Sequence, residues 1–127
     1  MKRDVMKVAI IDDSKTVRFI LAKMMKELGF ESIEAGDGKE ALEAIGKNSD
    51  VVLALIDWNM PVMNGLELVG ELKKDTRLSH LKIMMVTTET EMTQVVRAIE
   101  AGADEYIMKP FTKDMVVDKM KMLGMAV

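Results

Sequence analysis

The amino-acid sequence predicts an α/β chain: a five-stranded parallel sheet in the order 2-1-3-4-5, with helices on both faces. Five times along its 127 residues a short apolar run is followed by a stretch whose apolar residues recur at helical spacing. Repeated βα units of this kind build an open parallel sheet. The runs also rank themselves. VVLALI (51–56) is continuously apolar, as a strand buried on both faces must be, whereas ESIEA (31–35) alternates and EYIMK (105–109) has polar ends, as edge strands should. The third run therefore belongs in the centre, which favours the flavodoxin-like order over that of a dinucleotide-binding fold.

The first unit joins MKVAII (6–11) to residues 14–28, where Val17, Ile20, Leu21, Met24, Met25 and Leu28 keep helical spacing and Gly29 closes the helix. ESIEA precedes DGKEALEAIG (37–46), where Asp37 can cap the helix and Glu40 can complete a capping box. VVLALI precedes a helix over 65–74, with Asn64 and Glu67 in the same relation. KIMMVT (82–87) precedes one over 91–101 with Met92, Val95, Val96 and Ile99 as its apolar stripe. EYIMK precedes one over 113–123, where Thr112 is the expected N-cap and Phe111 and Val116 are spaced for a hydrophobic staple.

Composition excludes several classes. With 49% hydrophobic and 31% charged residues, the chain is expected to form one globular domain over 1–127, with no room after Val127 for an output domain. A net charge of −3, with both signs interspersed, argues against a nucleic-acid partner. The absence of Cys removes disulfides, zinc thiolate sites and thiol catalysis, and suits the cytoplasm. No apolar run approaches the ~20 residues of a membrane span, and MKRDVMKVAIIDD meets charge too soon for a secretory signal. The fourteen Met are read mainly as gap-fillers of the core and helix faces. His80, the only histidine, is expected in a surface loop.

In an open α/β sheet, ligands bind at the carboxyl ends of the strands where the order reverses, here between strands 1 and 3. Strand 1 ends in Asp12-Asp13, strand 3 in Asp57, strand 4 in Thr87-Thr88 and strand 5 in Lys109-Pro110. Each has an ordinary explanation alone: Asp12 and Asp13 as helix caps with Ser14 as rival, Asp57 as a turn acid, Thr87 as a β-branched strand residue, Lys109 as a surface lysine. Four distant segments delivering polar groups to one rim is the stronger signal.

Three carboxylates against one ammonium leave a formal charge of −2, which a divalent hard cation would balance. Oxygen donors without nearby His or Cys favour magnesium, Mg2+, or calcium over zinc. Magnesium suits better, because it binds through one or two carboxylates, keeps waters and accepts phosphate oxygens. A carboxylate beside magnesium can attack phosphorus in line to give an aspartyl phosphate, with Lys109 and Thr87 placed for the phosphoryl oxygens.

The segments IIDDS, LIDWNMPVMNGLEL, MMVTTE and YIMKPF resemble the signature segments of two-component response-regulator receiver domains, over residues 6 to 123. DWNMP, GLEL and KPFT resemble especially the stand-alone chemotaxis receivers. The resemblance implies that Asp57 is the phosphoacceptor. It also implies that Asp12 and Asp13 position magnesium together with Asp57 and the main-chain carbonyl of Asn59. Lys109 and Thr87 would bind the phosphoryl group, Tyr106 would be the aromatic switch, and the Lys109-Pro110 bond would be cis. Asn59 and Glu89 would tune dephosphorylation. The donor would be a phosphohistidine on a sensor histidine kinase. The chain would catalyse its own phosphotransfer and autodephosphorylation rather than act as a conventional enzyme.

The expected output face is helix 4, strand 5 and helix 5, with Val95, Ile99, Tyr106, Met108, Lys119 and Met122 as candidates, some of them core. A monomer docking on a flagellar motor switch protein is expected. The alternative is a phosphorelay intermediate serving a histidine phosphotransfer protein. An electron carrier sharing the architecture is disfavoured, because the two acids in DDSKTVR would repel a flavin phosphate. A phosphohydrolase would need room for a substrate pocket that the short loops do not give. A phosphate-independent scaffold would be expected to lack one of these site residues.

Overall fold

In the computed structural model the described residues are 5–88 and 92–127. The elements run β1 (Lys7–Ile11), α1 (Lys15–Glu27), β2 (Glu31–Ala35), α2 (Gly38–Gly46), β3 (Leu53–Asp57), α3 (Gly65–Lys74), β4 (Lys82–Thr87), α4 (Met92–Ala101), β5 (Glu105–Met108) and α5 (Lys113–Met122). A 3-10 turn, Thr76–Leu78, follows α3. The strands pair in parallel in the order β2-β1-β3-β4-β5, so the two polar runs are the edges and the apolar run is the centre, as predicted.

Alternation along the strands sorts the core into two halves. Val8 and Ile10, Leu53 and Leu55, and Met84 and Val86 pack with Leu21 and Met25 of α1 and Val116 and Met120 of α5. Their neighbours Ala9 and Ile11, Ala54 and Ile56, and Ile83 and Met85 pack with residues of α2, α3 and α4. Both faces are covered, which is why β3 reads as an unbroken apolar run.

The predicted boundaries shift by a residue or two. Val51 is buried but precedes β3, because its amide closes a turn onto the Asn48 carbonyl at 3.0 Å. The strand extends instead to Asp57, which pairs with Val86. Ser14 is the N-cap of α1, accepting from the Val17 amide at 3.2 Å, so this cap belongs to neither Asp12 nor Asp13. Gly29, at φ 91°, closes the same helix in the left-handed conformation that glycine adopts without strain.

Asn64 and Glu67 form the full capping box. In α2 only the first half is present: Asp37 accepts from the Glu40 amide at 2.8 Å. Thr112 caps α5, and Phe111 and Val116 join one cluster. Met25, Met84, Met85 and Met120 fill the core as expected, whereas Met6, Met115 and Met122 are exposed. His80 lies in an exposed turn.

Gly65 begins α3 hard against the end of β3. A Cβ there would lie 2.7 Å from the Asp57 carbonyl oxygen and 2.9 Å from Met85 Cε. Gly70, in the middle of the same helix, has nothing within 4 Å of that position. The two glycines should therefore respond to alanine with opposite signs in urea unfolding. Gly65→Ala is expected to cost about 1–3 kcal/mol through overpacking. Gly70→Ala should gain up to about 1 kcal/mol from helix propensity. Equal effects would show that the close approach at Gly65 does not constrain the loop.

Candidate functional site

Four strand ends build the site. Asp12 follows β1 and Lys109 follows β5, while Asp57 and Thr87 are the last residues of β3 and β4. The Lys109 ammonium Nζ lies 3.3 Å from Asp57 Oδ1 and 3.4 Å from Asp12 Oδ2. Asp12, Asp57 and Thr87 are buried, whereas Asp13 is exposed. Carboxylate oxygens of Asp12, Asp13 and Asp57 come within 4.8 Å of one another. The residues that the sequence placed at one rim are thus brought together.

Local main-chain bonds fix them. Asp12 donates its N–H to the Ala35 carbonyl at 3.1 Å, and its Oδ1 accepts from the Ser14 amide at 2.8 Å. The Trp58 amide donates to the Val86 carbonyl at 3.3 Å, and the Gly65 amide to the Trp58 carbonyl at 2.9 Å. These bonds pin both ends of the loop after Asp57. The Lys109 amide donates to the Thr87 carbonyl at 2.7 Å, just before a cis Lys109-Pro110 bond.

The electrostatics are unbalanced. Burial, and then the nearby Asp12 charge, push the Asp57 carboxyl from 3.8 up to about 6, against the opposing pull of Lys109. For Lys109, burial alone favours the neutral amine, but the Asp57 and Asp12 charges outweigh it and hold the ammonium above the usual lysine range. A hard divalent cation fits this donor set: all-oxygen, with two buried carboxylates, one exposed one, and excess negative charge.

The remaining candidates divide. Asn59 is exposed in the loop after Asp57. Glu89 lies outside the described residues. Tyr106 is half-buried against the α2/α3/α4 half of the core. Its ring lies 4.7 Å from Lys119 Nζ, and Lys119 also bonds Glu105 Oε1 at 3.2 Å. Two features had no place in the sequence reading. Val62 adopts φ 68°, a conformation that β-branched residues avoid, in the loop after Asp57. Arg18, to which the sequence assigned no role, donates to the Asp12 carbonyl.

The model of the "Response regulator receiver domain" family matches residues 8–121. "Chemotaxis protein CheY1" of Helicobacter pylori is 40% identical over 119 residues, covering 93% of this chain and 96% of that protein. "Chemotaxis protein CheY" of Pseudomonas aeruginosa is 39% identical, covering 91% and 94%. Among solved structures, Vibrio cholerae CheY4 superposes with a TM-score of 0.86 at 29% identity, covering 94% of this chain and 98% of the other. A CheY-like receiver domain from Methanospirillum hungatei gives 0.83 at 30% identity, covering 94% of each chain. The chain belongs to the response regulator receiver-domain family.

The raised Asp57 value makes a prediction for the metal-free protein. Between pH 4 and 6 the folded state binds more protons at Asp57 than the unfolded state, so stability should fall as pH rises through this window. The loss is at most about 3 kcal/mol. Asp57→Asn should flatten this part of the stability profile and be the more stable protein at neutral pH. Parallel profiles for the two proteins in metal-free urea titrations would refute the assigned strain at Asp57.

Proposed function

We propose that this receiver is a phosphorylation-switched chemotaxis regulator: Asp57 accepts a phosphoryl group from a sensor histidine kinase, and the α4–β5–α5 face then binds a flagellar motor switch protein. The observation that carries the reading is the Lys109 ammonium set between Asp57 and Asp12, at 3.3 and 3.4 Å. The chemotaxis names of the relatives favour that pathway.

In the proposed reaction an Asp57 carboxylate oxygen attacks phosphorus in line. An O–P bond forms, the N–P bond of the phosphohistidine breaks, and its electron pair returns to the imidazole. With Asp57 titrating near 6, the attacking oxygen is mostly ionised at neutral pH. Magnesium, when bound, would offset charge on the transferring oxygens. Asp12, Asp13 and Asp57 would hold it with the Asn59 main-chain carbonyl. Lys109 would pair with one phosphoryl oxygen. Thr87 Oγ1, which donates to the Thr88 carbonyl at 3.3 Å, would exchange that long bond for a charged acceptor.

Thr87 and Tyr106 lie on neighbouring strands, with Met85 opposite Tyr106 and Thr87 two residues further. Both have the parity of the α4 half of the core. A shift of Thr87 towards the phosphoryl group would free space for the Tyr106 ring to pack inward. That shift would draw the ring from beneath Lys119, changing the surface a partner meets. Asn59, exposed beside Asp57, is placed to influence attacking water during dephosphorylation.

Of the six residues expected on the output face, Val95 is core, at 5% exposure. Ile99 and Met122 are exposed, while Tyr106, Met108 and Lys119 are half-buried.

Trp58, buried next to Asp57, reports on the site. Magnesium should change its fluorescence saturably, and acetyl phosphate should then give a second change that Asp57→Asn abolishes. A flat response, with no phosphorylated species by mass spectrometry, rejects the reaction. On the output face, Ile99→Ala and Met122→Ala should each weaken binding of the phosphorylated protein to the motor switch protein by about 5–30-fold. Val95→Ala should instead lower stability. Undiminished binding by both surface variants would move the docking site elsewhere.

A further inference from the structure

The main chain of Asp12 is gripped from a side that the acid cluster does not use. Arg18 of α1 donates from one guanidinium nitrogen to the Asp12 carbonyl oxygen. From Nε it donates to Glu34 Oε1 of β2 at 3.3 Å. The Arg18 side chain is only 17% exposed, against 46% for Glu34. The Asp12 N–H is meanwhile bonded to the Ala35 carbonyl. With donor and acceptor both engaged, the peptide planes flanking Asp12 cannot turn freely. The Ser14 amide then holds Oδ1 at 2.8 Å and leaves Oδ2 facing Lys109.

The helix dipole does not explain an arginine here. A cation near a helix N-terminus opposes the macrodipole, and α1 has no acidic residue in its first turn. Nor does a field effect on the acid cluster, because Glu34 pairs with the guanidinium and offsets its charge. What remains is geometry.

We infer that Arg18 is a positioning residue for the cation site: it locks the Asp12 main chain so that the carboxylate faces the cluster, and Glu34 steadies the guanidinium. This rests on the proposed reading of Asp12 as a magnesium ligand. Partners standing behind a metal ligand typically contribute 10–100-fold to metal affinity.

The test is the magnesium dissociation constant of the full chain, read by Trp58 fluorescence, for wild type, Arg18→Met, Arg18→Lys and Glu34→Gln. Urea midpoints and hydrogen exchange of the Ser14 amide in metal-free protein accompany it. Arg18→Met should bind magnesium about 10-fold more weakly and exchange Ser14 faster. Arg18→Lys, which can still donate to the carbonyl, should recover most of the affinity. Glu34→Gln should stay within about threefold of wild type, whereas a larger loss of affinity with Ser14 exchange unchanged would identify Arg18 as a source of field, its uncompensated charge repelling the cation, and overturn the positioning role.

Equal magnesium affinity in wild type and Arg18→Met also overturns the inference. Should Arg18→Met not fold, a tenfold loss in Arg18→Lys with unchanged Ser14 exchange does so in its place. Absence of magnesium binding by wild type would instead overturn the proposed function.

Discussion

Lys109 stands between two buried carboxylates, and one ammonium cannot neutralise both of them and their exposed neighbour Asp13. Left to themselves these groups would swing apart or protonate. The surrounding chain prevents the first and so incurs the second, in the raised Asp57 value. The Ser14 amide and the Ala35 carbonyl restrain Asp12. The Gly65 contact and the Trp58 bonds restrain the chain after Asp57. A site held this way is costly when empty of cation, and a cation bound there would relieve that cost.

The two-sided sheet divides the labour. Strand alternation gives the ends of β1 and β3 to the α1/α5 parity, where Asp12 and Asp57 meet Lys109. The end of β4 falls to the α4 parity, where Thr87 lies near Tyr106. A charge added at Asp57 therefore sits on one side of the sheet plane, and the proposed response develops on the other. Thr87, buried at the end of β4, stands on the strand between the two. Such an arrangement needs no long pathway, since one strand end separates the site from the aromatic ring.

Most of this was legible in the sequence because parallel sheets leave an unusually clean pattern. The unbroken VVLALI run could only be central, and the three site acids followed predicted strands while Thr87 and Lys109 ended them. What escaped is equally instructive. The return bond of the α2 capping box depends on a side-chain path that spacing does not fix. Val95 satisfied the amphipathic pattern whether it faced core or partner, and only packing assigns it inward. Val62 has a sequence identity that argues against its conformation. The signal for Arg18 was present but faint: a cation where the helix dipole prefers an anion.

The size of the proposed switch can be bounded. Coupling between two sites in one domain typically amounts to about 1–3 kcal/mol, or 5–150-fold. A resting population of about 1% active receiver would then rise to at most roughly 60% on phosphorylation. Near-complete switching needs about 5.5 kcal/mol. The shortfall must come from a partner that binds the active surface better than the resting one. Exposed Ile99 and Met122 would not supply that difference, because their apolar side chains gain by burial against a partner whichever way Tyr106 points; they would supply affinity common to both states. Discrimination between the two states then falls to the half-buried pair of Tyr106 and Lys119, whose 4.7 Å contact is the part of this face that an inward ring would break. In the proposed switch affinity and state-sensing would thus belong to different residues of one surface, and strengthening the first without the second would produce a partner bound in both states.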